Sequence, residues 1–145
     1  MSILILRGPH AALPDASSLD PPLRERANAA GQRLHCRTFA TIRDLLCGLR
    51  RADIARSDML LDIGDLALDG VAQTWALRDA LDGLASPYIE VHDDAAHALE
   101  PRVHPQHASL VTVILRDDLP RAYALALDIA LRRVDHAHAA EPFHA

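Results

Sequence analysis

Glu90 and His92 are the side chains of this sequence best placed to do chemistry. They stand two residues apart in Tyr88-Ile89-Glu90-Val91-His92, which reads as a short buried strand after Pro87. Side chains alternate across a strand with a period of two, so the carboxylate and the imidazole project to one side within hydrogen-bonding reach. A carboxylate that orients an imidazole and raises its basicity is a recurring acid–base unit. The stretch before it, Ala76-Leu77-Arg78-Asp79-Ala80-Leu81, reads as a helix with its apolar residues on one face.

The surrounding elements must position that pair. Residues 2–7 form a continuous apolar run, read as a central parallel strand that Gly8-Pro9 stops. Residues 10–22, with Pro14 and Pro21-Pro22, are expected to form a loop. A helix over 23–30 ends at Gly31, a suitable C-terminal cap, and a strand follows at 33–37. Thr41 caps a helix over 42–51, in which Ile42, Leu45, Leu46 and Leu49 recur at helical spacing. Further strands are expected at 58–63, 88–92 and about 110–115, with a helix over 71–84. Asp117 or Asp118 caps a last helix over 120–134, and residues 135–145 read as a polar tail.

Strand and helix alternate five times. That order predicts an α/β fold, a flavodoxin-like three-layer sandwich around a five-stranded parallel sheet, as one domain over 1–134. Ligands of such sheets bind at the carboxyl ends of the strands, near the switch point of strand order. The segments to inspect are therefore Gly8-Pro9-His10, Asp62-Ile63-Gly64-Asp65, residues 90–94 and residues 116–118.

Bulk properties narrow the function. The chain has 145 residues, half of them hydrophobic, enough for one substantial core. Fifteen basic against 20 acidic residues give a net charge of −5, which argues against a nucleic-acid partner. No apolar run approaches the roughly 18 residues that would span a bilayer. No signal-peptide pattern opens the chain, so a cytoplasmic location is expected. Cys36 and Cys47 read as separate buried thiols rather than a disulfide or metal site.

At the strand ends the sequence resembles the type II 3-dehydroquinate dehydratases. Residues 3–9 are similar to that family's first strand and G-P-N, 60–64 to its strand ending in N-P-G, and 76–81 to its A-L-R-D-A-L. Residues 89–92, His97 and Glu100-Pro101 are similar to I-E-V-H-x-x-x-x-H-A-R-E-P, and 122–127 to G-Y-x-x-A-L. The likeness runs through nearly the whole chain in order, and its most specific part is 78–101. It implies a flavodoxin-like subunit assembled as a trimer or dodecamer. It also implies a cofactor-free elimination of water from a cyclic keto-acid through an enolate. In that reaction a tyrosinate, activated by an arginine on a mobile lid, removes the proton, and the histidine of E-V-H protonates the departing hydroxyl. Asparagines of G-P-N and N-P-G help to hold the substrate.

Carried over by residue, the resemblance assigns Glu90 and His92 the acid half and places Arg78 and Asp79 toward a neighbouring subunit. The base half is missing. The lid segment is shorter than the family's by about ten residues, which limits what it can reach. Neither arginine nor tyrosine lies between Gly8 and Pro22, and the only tyrosines, Tyr88 and Tyr123, read as packing residues. The binding half is rewritten around His10, Asp62, Gly64, Asp93, Asp94 and Arg102. His10 and Asp62 replace asparagines, Asp93 and Asp94 stand where a substrate carboxylate would be received, and Val103 replaces an arginine that Arg102 could restore by a one-residue slip. Two fixed anions in a poorly solvated site would repel that carboxylate by several kcal/mol.

Other readings of the same residues remain open. His10, Asp62, Asp65, His92, Asp93 and Asp94 could in principle ligate a divalent metal. No H-x-x-x-H or H-x-x-E-H spacing supports it, so no metal is assigned and a solvated acidic rim is the default. The Asp-rich strand ends also suit a phosphoryl-accepting receiver domain, but Arg7-Gly8-Pro9 stands where its acidic pair belongs. His104 and His107 read as loop surface. In such a divergent relative Glu90 and His92 more often persist as a buried hydrogen-bonded unit at a subunit contact than as a working acid pair. The expectation is a divergent homologue without dehydratase turnover, an oligomeric binding or regulatory module for a small-molecule ligand or a protein partner, itself included. The alternative is an enzyme, either an active or weakly active 3-dehydroquinate dehydratase-type lyase or a lyase for an uncharged or cationic ligand, that uses Glu90 and His92 as its general acid.

Overall fold

The computed structural model describes residues 2–10, 16–65, 71–99 and 103–140. Strands β1 (Ser2–Arg7), β2 (Arg33–Thr38), β3 (Asp58–Asp62), β4 (Tyr88–His92) and β5 (Thr112–Ile114) form one parallel sheet in the order β2-β1-β3-β4-β5. This is the flavodoxin-like order expected from the alternation of elements. Helices α1 (Asp20–Ala29) and α4 (Leu119–Ala140) pack on one face, and α2 (Ile42–Ile54) and α3 (Val71–Asp82) on the other. Among the described residues no helix is long and apolar enough to cross a membrane.

Local chemistry accounts for most boundaries. Thr41 accepts a hydrogen bond from the Asp44 amide, as expected of a helix cap. Gly31 takes φ +76° just past α1, and the Gln32 amide closes onto the Ala27 carbonyl, a Schellman end that suits glycine. Of the two candidate caps for α4, Asp118 accepts from the Arg121 amide. Proline is tolerated where helix amides are unpaired anyway, so Pro21 and Pro22 sit in the first turn of α1 rather than in a loop. A single 3₁₀ turn over Ala16–Leu19 leads into it.

Several boundaries differ from the sequence reading, α3 among them, which ends at Asp82 rather than 84. Helix α2 runs three residues beyond 51, to Ile54. Strand β5 is limited to Thr112–Ile114, because it is an edge strand paired only through Glu90, Val91 and His92. Helix α4 continues to Ala140, so 135–140 are helical backbone rather than tail. Two burial expectations also fail. Cys47 lies on the solvent side of α2 and is exposed, while Cys36 is half-buried. His107 packs its ring 5.7 Å from that of Tyr88 and is only partly exposed.

The two core layers fix the direction of every strand residue. Ile3, Ile5, Leu60, Ile89 and Val91 belong to the α1/α4 layer, and Leu6, Leu61 and Tyr88 to the α2/α3 layer. With alternating side chains, Arg7 and Asp62 must project toward α1 and α4, and Glu90 and His92 toward α2 and α3.

Candidate active site at the carboxyl ends of the strands

Arg7 and Asp62 are registered neighbours at the ends of β1 and β3, and both are fully buried. Between them sits Tyr123, brought from α4 and also fully buried. Its hydroxyl accepts from Arg7 Nε at 3.1 Å and donates to Asp62 Oδ2 at 2.5 Å. Arg7 Nη2 meets Asp20 Oδ1 at 2.9 Å, and its guanidinium lies 4.9 Å from the Tyr123 ring centroid. His10 Nε2 stands 2.6 Å from the same Asp62 oxygen. A buried chain therefore runs Asp20–Arg7–Tyr123–Asp62–His10.

The turns after β1 and β3 close around Asp62. Its Oδ1 accepts from the Gly64 amide at 3.0 Å, and its carbonyl from the Gly8 amide. The Asp65 amide in turn donates to the Pro9 carbonyl at 2.7 Å. Gly64 has φ +56°, and a Cβ there would run into the Pro9 carbonyl oxygen. Glycine is thus required by both conformation and space.

Electrostatics follow from these contacts. Burial opposes the charged form of His10. Its hydrogen bond to Asp62 and the charges of Asp62, Asp93 and Asp65 nevertheless raise its pKa above the ordinary 6.5. Burial, followed by the charge of Asp62, pushes the Tyr123 phenol well above 10, and Arg7 opposes this without offsetting it. A phenol held in that way keeps its proton.

Glu90 and His92 form the separate pair foreseen from their spacing. His92 Nε2 is 2.8 Å from Glu90 Oε2, which also accepts from the Leu99 amide at 3.3 Å. Both residues are buried, and His92 Nδ1 has no hydrogen-bond partner among the described residues. Their side chains lie on the α2/α3 side of the sheet, opposite to Tyr123.

The remaining expected residues are more open. His97 lies between Asp65 (3.4 Å) and Asp93 (3.8 Å). Asp94 is exposed and caps a 3₁₀ turn over Ala95–His97 by accepting from the Ala96 amide at 2.9 Å. The acidic rim is thus only partly the solvated one expected. Asp65 and Asp94 are exposed, whereas Asp62 is interior and hydrogen-bonded. Asp94 is exposed and Asp93 partly so, which weakens the repulsion of a carboxylate relative to a fully desolvated site. Among the described residues no three His, Cys, Asp or Glu side chains are grouped to hold a metal ion. Arg102 and Glu100-Pro101 lie outside the described residues.

Comparison with known proteins places this arrangement. A 3-dehydroquinate dehydratase of Thioalkalivibrio sulfidiphilus is 37% identical over 111 residues, 75% of this chain and 73% of its own length. One from Parasynechococcus marenigrum is 30% identical over 139 residues, 88% of this chain and 92% of its own. The chain belongs to the 3-dehydroquinate dehydratase family. Its fold is that of the type II dehydroquinases: the structure from Propionibacterium acnes superposes with TM-score 0.70 at 22% identity, covering 90% of this chain and 98% of that one. A 3-dehydroquinate dehydratase-like protein from Bifidobacterium longum gives 0.69 at 16% identity, over 93% and 98%. No protein-family model matches the chain.

Against the dehydroquinase pattern, the residues that replace the two asparagines, His10 and Asp62, bind one another. Sequence reasoning missed Arg7; Tyr123 packs in the core as expected, and what was missed is its hydroxyl's place between Arg7 and Asp62. The available signal was an arginine closing an otherwise apolar strand, since a buried arginine needs anionic or aromatic partners. Arg78 makes no ion pair with Asp79, because adjacent helix residues do not face each other; it donates instead to the His104 carbonyl at 3.2 Å.

Proposed function

We propose that this dehydroquinase-family subunit does not turn over 3-dehydroquinate and serves as an oligomeric binding or regulatory module. The state of Tyr123 carries the reading. Elimination needs a base to start it, and the one tyrosine beside an arginine at the strand ends is buried, protonated and bonded to Asp62. It also lies on the sheet face opposite to His92. Losing the base of such a reaction costs several orders of magnitude in rate. The mutual bonding of His10 and Asp62 supports the same conclusion, since neither is left free for a substrate hydroxyl.

The test is incubation with 3-dehydroquinate, following the conjugated product by its ultraviolet absorbance. No turnover above a His92→Ala control is expected; turnover that depends on His92 overturns the proposal.

The unpartnered Nδ1 of His92 favours a second reading, in which the Glu90–His92 pair is the acid of a lyase acting on an uncharged or cationic ligand. It requires a base from outside the described residues. An active-site histidine reagent that loses access on adding a neutral polyhydroxy ketone would favour it.

Self-assembly is the companion proposal. Val71 and Trp75 are 71% and 60% exposed on α3, the helix that carries Arg78 and Asp79. Large apolar side chains left open on one helix are typical of a surface that a neighbour covers.

A further inference from the structure

Strand β2 is an edge of the sheet, two strands removed from β4. His35 is registered with Leu4, which packs against the α2/α3 layer, so His35 and Arg37 face the α2 side of the sheet. Helix α2 does not cover them. A pocket of about 460 Å³ opens along this edge, lined by Cys36 of β2 and Arg24 of α1 from one face of the sheet, by His35 and Arg37 of β2 and Arg51 of α2 from the other, and by Ser2 and Ser57.

The charge of this pocket is one-sided. No aspartate or glutamate lines it, although acidic residues outnumber basic ones 20 to 15 in the chain. Of the described arginines only Arg7, Arg26 and Arg133 form ion pairs, with Asp20, Asp128 and Asp58; Arg24, Arg37 and Arg51 are among those that pair with no described carboxylate. Every basic residue of the sequence is an arginine, so their identity says little. Three arginines around one cavity with no carboxylate in its lining need a cause, because like charges gathered there repel. The guanidinium of Arg37 is held 5.6 Å from the Phe39 ring centroid, which limits its freedom before any ligand arrives.

We propose that this pocket binds a small dianionic ligand, a phosphate monoester, gripped by the guanidinium forks of Arg24, Arg37 and Arg51. A planar fork matches phosphate oxygens two at a time. The volume suits a small metabolite. A nucleic-acid strand fits poorly, since it needs a continued basic track and the chain is net negative. The seryl hydroxyls of Ser2 and Ser57 could serve the uncharged part of the ligand. The site is distinct from the Glu90–His92 end of the sheet and stands whether or not the subunit is catalytic.

Titration of the full chain with glycerol 3-phosphate by calorimetry at low ionic strength tests this. Binding is expected with Kd near or below about 1 mM, and none with glycerol. Hydrogen-exchange protection should be confined to β2, the end of α2 and the turn of α1 around Arg24. The double variant Arg37→Ala/Arg51→Ala should weaken binding at least about tenfold, whereas Arg43→Ala/Arg132→Ala should not. The proposal is overturned by no binding up to about 10 mM, by protection spread over the surface, or by an equal loss in the control pair, which would mark diffuse ion attraction. Should the test variant fail to fold, the exchange pattern of the unaltered protein decides.

Discussion

The Tyr123 hydroxyl donates to Asp62 at 2.5 Å, and His10 reaches the same carboxylate oxygen at 2.6 Å. One buried oxygen thus serves two partners, and Arg7 closes the chain from the other side. This arrangement makes Asp62 the residue on which the carboxyl end of the sheet depends.

Replacing Asp62 with Asn should therefore be costly. The charge that balances Arg7 and His10 disappears, and one amide hydrogen is forced toward a donor. Breaking a buried charged network by one partner typically costs about 3–5 kcal/mol. A fall in melting temperature on the order of 10 °C is expected by calorimetry or circular dichroism. A change of only a degree or two would mean that the network contributes little.

Tyr123 should show no tyrosinate at neutral pH. Its phenol is held above 10 by burial and by Asp62. An ultraviolet difference titration of the folded protein should show its ionisation only well above that value or on alkaline unfolding, and Tyr123→Phe should remove that contribution. A phenolate band near pH 7 would reinstate a working base and remove the main support for an inactive site.

The His10 pair gives a pH dependence of definite sign. Its folded pKa is raised above 6.5, so the stabilisation is complete below 6.5 and is lost as pH rises through the raised value. Denaturant midpoints should fall across that window, and His10→Gln should flatten the profile. At the acid end Asp53 behaves in the opposite sense. Burial opposes its ionisation, but bonds from the Ser86 and Ala85 amides hold its pKa below 3.8. Its contribution is present above 3.8 and lost as pH falls through the lowered value, and Asp53→Asn should flatten that limb.

Gly64→Ala should destabilise by about 2–4 kcal/mol, from the positive φ and from the collision with the Pro9 carbonyl. Gly31→Ala also forces a positive φ but meets no atom within 4 Å, so it should cost only about 1 kcal/mol. Urea midpoints of the two variants compared side by side measure the difference, and equal losses would count against a steric role for Gly64.

In solution the chain should sediment as a trimer or a multiple of three. Trp75 emission should be shielded from a soluble quencher in the assembly, and Trp75→Glu should shift the mass toward monomer. A stable monomer with a fully quenched Trp75 would remove the assembly proposal.

Much of this was legible from residue order alone. The apolar runs and their turn residues determined five parallel strands and four helices, because a period of two or of 3.6 is a local property. The spacing of Glu90 and His92 determined their hydrogen bond for the same reason: one strand carries both. That neither arginine nor tyrosine lies between Gly8 and Pro22 was equally plain. Boundaries were less so where tertiary packing outweighs propensity, as at the short edge strand β5 and the continued α4.

Only the tertiary structure decided what Arg7, His10, Asp62 and Tyr123 do. They come from three separate places in the chain, Asp62 and Tyr123 standing 61 positions apart and Arg7 and Tyr123 116 positions apart. No periodicity links residues so far apart. Their meeting follows from the parallel register of β1 and β3 and from α4 crossing the sheet, and both arise through burial of the two apolar layers. The same layers send Glu90 and His92 to the opposite face from Tyr123.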